Sequence, residues 1–305
     1  MNDKQDKYTR TSFGVRKITT FDVVNCTLFI LLCFVMLYPF WNVLMVSLVG
    51  PSEAMNRIFI PWPRDMTFIS YQYIFTTDKF PRAFLVTAFI TVAGTLYGLV
   101  LASTCAYALT KKTVPGYKFF SWMITFTMFF GGGLIPYYML IRALGLMNTV
   151  WVLFLGGMGV FTFLLMRSFI NQIPEGLEES ATIDGANELK IFYRIIIPLS
   201  LPVLAVLTLF SAVCLWNSWF AAMLYLPTRP DLNTLQLLLR RLIVEASKIG
   251  DADMQYRARF GHDAVIFEDG IKMAAVIVAT APILIVYPFL QKYFVKGVMV
   301  GSLKG

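Results

Sequence analysis

Six separate stretches of this chain are long and apolar enough to cross a bilayer, and almost no charge interrupts them. They lie at about 23–48, 84–109, 119–141, 149–166, 196–224 and 273–295. A helix needs about 20 largely apolar residues to cross the hydrocarbon core. In lipid the backbone must satisfy its own polar groups, which makes such runs helical. The pattern predicts an all-α membrane protein with six transmembrane helices. Composition agrees, since 57% of residues are hydrophobic and 14% charged, against about 25% charged in soluble domains.

The net charge of +8 invites a nucleic-acid reading. The bases do not cluster on one soluble face, however; they sit in short tails and connections between the apolar runs, as positive-inside topology requires. With six spans both termini share a side. Placing the N-terminus inside puts Lys4, Lys7, Arg10, Arg16 and Lys17, then Lys111, Lys112 and Lys118, on the cytoplasmic face, while the short outer connection 142–148 carries only Arg142. The expected organisation is a cytoplasmic N-terminal tail (1–22), a transmembrane domain (23–295, permease core about 84–295) and a cytoplasmic C-terminal tail (296–305). The first run is too long for a signal-peptide core and no small-residue cleavage pattern follows it, so it reads as a retained span. Cys26, Cys33, Cys105 and Cys214 fall inside apolar runs and read as small buried hydrophobes.

No ionisable residue lies well inside any of the six runs. Ion-coupled carriers place such groups at membrane depth, so a carrier working alone is disfavoured. The single histidine, His262, sits between Gly261 and Asp263 in a long charged loop and reads as solvated. No zinc-protease, nucleophile-elbow or phosphate-loop motif is present. The chain is expected to be no enzyme and to hold no metal or cofactor; energy for any uphill work must come from a partner.

One segment stands apart. Residues 174–198 read PEGLEESATIDGANELKIFYRIIIP, an acidic, helix-forming stretch between two apolar runs. Pro174 suits a helix start, and Glu175, Glu178 and Glu179 complement the positive end of the helix dipole. Asp184-Gly185 breaks the helix. A second short helix is predicted from about Ala186, with Leu189, Phe192, Tyr193 and Ile196 on one apolar face. A short surface helix with apolar anchors suits insertion into a groove on another protein.

Glu179, Ser180, Ala181, Gly185, Ile195, Ile197 and Pro198 resemble the cytoplasmic motif E-A-A-x3-G-x9-I-x-L-P of type I ABC importer permeases, with Ser180 and Ile197 as mild departures. The tail, Gln291 to Gly297 and then Gly301, Ser302, Leu303, Lys304 and Gly305, is similar to that of the carbohydrate branch, in particular a maltose-transporter-like membrane subunit whose tail reaches the ATPase dimer. The third run, FFGGGLIPYYMLIRALGLMNTVW, looks like that of permeases for oligosaccharides and polysaccharide fragments. The resemblance implies the type I importer fold, with residues 174–198 as a coupling-helix loop. It also implies a homologous second permease, two ATPase subunits that bind ATP and magnesium, an extracytoplasmic solute-binding protein, and a place in the bacterial plasma membrane. Glu179, Ser180, Ala181, Gly185, Ile195 and Pro198 are then coupling residues by resemblance, and Leu189, Phe192 and Tyr193 groove contacts by the physical reading. A permease for amino acids or peptides is the alternative within transport.

For the substrate path the candidates are Asn42, Tyr137, Trp216 and Asn217, because aromatic rings beside amides suit sugars; an interfacial aromatic belt is the competing reading. Gly131, Gly132 and Gly133, one turn before Pro136, are expected to permit close helix packing in preference to loosening the span, and Gly156, Gly157 and Gly159 likewise to pack. The loop 225–272 contains LQLLLRRLIVEASK, read as an amphipathic helix ending before Gly250 and lying on the outer face.

Overall fold

Three of the apolar runs form unbroken helices and three do not. The computed structural model describes residues 19–50, 53, 60–156, 158–244 and 268–302. Helix α1 spans Thr20–Ser47 and opens with Asp22 accepting hydrogen bonds from both the backbone N–H and the hydroxyl of Thr19. A short helix α2 (Ile69–Thr76) leads into α3 (Lys79–Ala108). Helix α12 runs over Glu268–Ser302 without a break at residue 296. Among the described residues the only extended pairing is an isolated bridge between Val49 and Met66.

The third run divides at 130–133 into α4 (Tyr117–Phe129) and α5 (Leu134–Ala143), whose axes differ by 118°. Here the packing expectation for the glycine triplet fails. A Cβ on Gly131 or Gly132 would meet nothing within 4 Å, and Gly133 takes φ +84°, open to glycine at little cost. The triplet breaks the helix. Gly156 does pack, since a Cβ there would lie 2.9 Å from the Tyr137 hydroxyl; Gly157 lies outside the described residues. The fourth run gives a 3-10 turn (Val150–Leu153) and α6 (Val160–Ile170). At 11 residues α6 is about 17 Å long, too short to cross alone.

The fifth run is bent. Helix α8 (Glu188–Leu199) and α9 (Leu201–Trp216) meet at Ser200 at 77°. Pro202 has no N–H for the carbonyl four residues back and its ring crowds that carbonyl, so the axis turns. Helix α9 ends at Trp216, short of the expected 224, and α10 (Phe220–Tyr225) follows. Among the described residues three helices are long and apolar enough to cross a membrane, or five segments if each bent pair is one span; the fourth run, with its short helix α6, is not among them.

Helix α3 is the centre of the bundle, packed against α6, α9 and α11 (Leu235–Val244), while α12 packs on α1, α2 and α9. The approach to α3 is close at Gly94, where a Cβ would come within 2.7 Å of Phe154 and 2.8 Å of Leu215. Trp216 is buried; its indole N–H donates to the Ala279 carbonyl at 2.9 Å and its ring meets Phe84 edge-on. It ties α9 to α12 and is a core residue, not part of a solute path. Helix α11 does not simply lie on a surface either. Leu235 and Leu237 are buried, the Leu235 N–H donates to Thr87 Oγ1 at 2.8 Å, and the Thr234 hydroxyl donates to the Ser218 carbonyl at 2.9 Å. Residues 245–267 lie outside the described part. Cys26, Cys33 and Cys214 are exposed on helix flanks and only Cys105 is half-buried, so the expectation of four buried thiols does not hold. A helix facing lipid keeps its apolar flank outward, and a thiol is small and apolar enough to sit there.

Candidate functional site

The acidic segment folds as two short helices braced on the end of α3. Helix α7 spans Glu175–Ile183 after Pro174 at the cap position, with Glu175 and Glu178 in its first turn. It stops in a Schellman arrangement. Gly185 adopts φ +78°, its N–H donates to the Thr182 carbonyl at 3.0 Å, and the Ala186 N–H donates to the Ala181 carbonyl at 2.9 Å. Asn187 then caps α8, its side-chain oxygen accepting from the Lys190 N–H at 2.9 Å. The second helix starts at Glu188, two residues later than expected, because the glycine turn consumes Ala186 and the cap consumes Asn187. Its middle, Phe192–Ile196, is a π-helical turn, a feature that recurs at functional positions.

The π turn decides which side chains face inward. Ile191, Phe192 and Ile196 are buried against Phe163, Met166 and Ile170 of α6 and Leu207 of α9. Leu189 and Tyr193 are exposed, at 68% and 62%, and Ile183 on α7 at 86%. The single apolar face expected from spacing is therefore split. Phe192 packs on Tyr107 with ring centroids 5.2 Å apart and is a support residue, not a groove contact. Leu189 and Tyr193 point away from the bundle together with Ile183, which spacing alone did not single out. Glu179, Ser180, Gly185 and Pro198 are exposed, and Ala181 and Ile195 half-buried. A shallow concavity between the helices is lined by Ala181, Asp184, Ala186, Lys190, Arg194 and Ile195, among others.

Tyr107, which spacing did not single out, and Lys111, expected only as a cytoplasmic base, hold this loop. Tyr107 donates its hydroxyl to Glu188 Oε2 at 2.6 Å. Lys111, just beyond the end of α3, pairs with Glu178 of α7 and lies 3.5 Å from Glu188 of α8. Its ammonium also sits over the Tyr107 ring, 4.7 Å from the centroid. Partial burial works against the Lys111 charge, but the hydrogen bonds to Glu178 and Tyr107 outweigh it and hold the ammonium above its usual range. The pairing is thus complete at neutral pH and is lost only as strongly alkaline pH passes that raised value. One cation joins both loop helices to the central helix. The only signal in the sequence was charge complementarity between a basic connection and an acidic one.

The remaining candidates lie elsewhere. Tyr137 is 39% exposed and meets Tyr225 edge-on. Asn42 is half-buried on α1. Asn217 is exposed at the end of α9, donating to the Val213 carbonyl and accepting from Gln236. None of these joins the loop. Gly301 and Ser302 close α12, and Leu303, Lys304 and Gly305 lie outside the described residues.

Residues 28–300 match the family described as binding-protein-dependent transport system inner membrane component. The chain belongs to that family. It is a membrane subunit of a transport system, and the bent, nearly all-helical bundle is this family's fold. The chain is 37% identical over 286 residues to the polygalacturonan/rhamnogalacturonan transport system permease protein YtcP of Bacillus subtilis (strain 168), covering 93% of this chain and 98% of that one. Protein LplC of the same organism is 39% identical over 288 residues, covering 93% and 95%. A chain from the crystal structure of a bacterial ABC transporter involved in the import of the acidic polysaccharide alginate superposes with a TM-score of 0.83 at 30% identity, covering 90% of this chain and 96% of that one.

The loop geometry leads to a direct test. Substituting Gly185→Val places a β-branched side chain in a left-handed conformation, at a cost of at least 1–2 kcal/mol by order of magnitude. The bundle is expected to assemble with unchanged yield, while protease cleavage within 183–188 becomes about tenfold faster or more. Unchanged cleavage would mean that the glycine turn does not hold the two helices in place.

Proposed function

We propose that this chain is one membrane subunit of an ATP-driven importer that takes up an oligosaccharide handed over by an extracytoplasmic binding protein. It works beside a second, related permease and two copies of an ATPase subunit, and ATP and magnesium are bound by that subunit. The loop at 174–198 and both termini face the cytoplasm, and the tail residues Gly301 to Gly305 reach the ATPase.

The observation that carries this reading is a braced loop with an exposed apolar ridge. Ile183, Leu189 and Tyr193 are exposed on a segment otherwise rich in charge. Beneath them, Lys111, Tyr107 and Phe192 tie the loop to α3. A ridge of this kind fits a groove on a partner, and bracing lets a displacement of the loop reach the bundle as a rigid-body motion. Glu179, Ser180, Ala181 and Gly185 shape the turn that presents the ridge. The sugar class is supported by the names of the relatives, which refer to polygalacturonan, rhamnogalacturonan and alginate.

The experiment is reconstitution of the whole assembly in proteoliposomes. Uptake of a labelled oligogalacturonate is expected to need the binding protein outside, ATP inside and this chain together. Solute uptake or ATP hydrolysis by the isolated chain would overturn the reading.

A further inference from the structure

We propose that Arg240, held over the Trp219 ring beside the Asn217–Gln236 amide pair, is a binding subsite for a carboxylate-bearing ring of an acidic oligosaccharide. The inference rests on the oligosaccharide reading above and goes beyond it, to the charge of the solute and the residue that reads it.

The cluster is built from two segments. One is the break between α9 and α10, which carries Asn217 and Trp219; the other is α11, which carries Gln236 and Arg240. Asn217 Oδ1 accepts from Gln236 Nε2 at 3.1 Å, and the Arg240 guanidinium carbon lies 3.7 Å from the Trp219 ring centroid. Gln236 and Arg240 are four residues apart on one helix, so the two rungs share a face about 6 Å apart along the axis. That spacing is close to the width of one pyranose ring. The Thr87 and Thr234 hydrogen bonds fix α11 against α3 and the chain break, so the rungs are held without a ligand.

Charge completes the argument. Among the described residues no carboxylate lies within 4 Å of Arg240, and its polar contact is one long approach of Nη1 to Met223 Sδ at 3.9 Å. The acid on the preceding turn, Asp231, is committed to Arg229 at 2.8 Å and Arg82 at 3.3 Å. Arg240 is exposed, and an unpaired guanidinium cannot face hydrocarbon without a large cost. The cluster is therefore placed outside the hydrocarbon. It sits at the far end of α9, whose 16 residues carry it about 24 Å from the bend beside the loop helices. With its carbon held over the indole, the guanidinium still has its N–H donors available, and a guanidinium takes a carboxylate in bidentate fashion. The neighbouring amides supply donors and acceptors for ring hydroxyls. A neutral sugar uses the amides but leaves the guanidinium edge unmatched.

The test crosses protein and solute in the reconstituted full assembly. Uptake of trigalacturonate is compared with uptake of its fully methyl-esterified form, in wild type and in Arg240→Gln. Any preference contributed by the binding protein is common to both proteins and cancels. The acid-to-ester ratio of kcat/KM is expected to fall about 10- to 100-fold in Arg240→Gln, the range for one charged hydrogen-bonding group. Arg240→Lys, which keeps the charge and loses the fork, should fall less. The ratio is read within each protein and does not depend on how much assembles. A ratio equal to wild type in either variant that assembles overturns the inference and leaves the importer reading intact. Wild type that takes up only the ester also overturns it. Wild type that takes up neither form sinks the oligosaccharide reading itself.

Discussion

Replacing Leu189 with aspartate, or Tyr193 with alanine, is expected to release this chain from the proposed ATPase subunit while leaving the bundle folded. Both side chains are more than half exposed and make no part of the buried cluster under α8. Removing them costs the bundle little. At an interface, by contrast, a buried aromatic or aliphatic anchor accounts for about 2–4 kcal/mol, which is about 30- to 1000-fold in affinity. Aspartate adds the penalty of an unpaired charge in an apolar groove. The measurement is the affinity of purified ATPase subunit for the permease in nanodiscs, with melting of the permease measured alongside. Phe192→Ala is the contrasting case. Its ring is buried against Tyr107, so it should lower the melting temperature first and affinity only as a consequence. Wild-type affinity in both surface variants would remove this ridge from the interface.

The second large effect is expected at Lys111. Arginine there keeps the charge, alanine removes it, and glutamate sets a third acid beside Glu178 and Glu188. The paired groups are about one-fifth exposed at Lys111 and Glu178 and 68% exposed at Glu188. The cost of reversal is therefore smaller than for a fully buried pair, on the order of 2 kcal/mol after allowance for solvent. Lys111→Glu should detach both loop helices from α3. We expect ATP hydrolysis that no longer responds to loaded binding protein, with uptake reduced at least tenfold and ATPase binding retained. Adding Glu178→Lys to Lys111→Glu should restore part of the uptake, because the pair is re-formed with its sense reversed. Normal coupling in Lys111→Glu would mean that force passes to the bundle by another contact.

Much of this architecture was readable because it depends on short stretches of chain. Apolar runs long enough to cross lipid and the break at Asp184-Gly185 both follow from residues within a few positions of each other. Lipid makes that local logic strong, since a segment in hydrocarbon must satisfy its own backbone. The glycine triplet at 131–133 shows the limit. Small residues permit either close packing or a break, and only the absence of a neighbour within 4 Å decides for the break.

What the chain's order of residues determined by itself was a helical membrane protein with one acidic, helix-forming connection between two apolar runs. Tertiary structure decided which face of that loop is free. The π turn and the contacts of Phe192 with Tyr107 rotate part of the expected ridge inward. It also recruited Lys111, whose acid Glu178 lies 67 positions away, and turned Trp216 from a candidate sugar contact into a strut between α9 and α12. Such outcomes depend on which helices become neighbours, and periodicity along one helix contains no record of what packs against it.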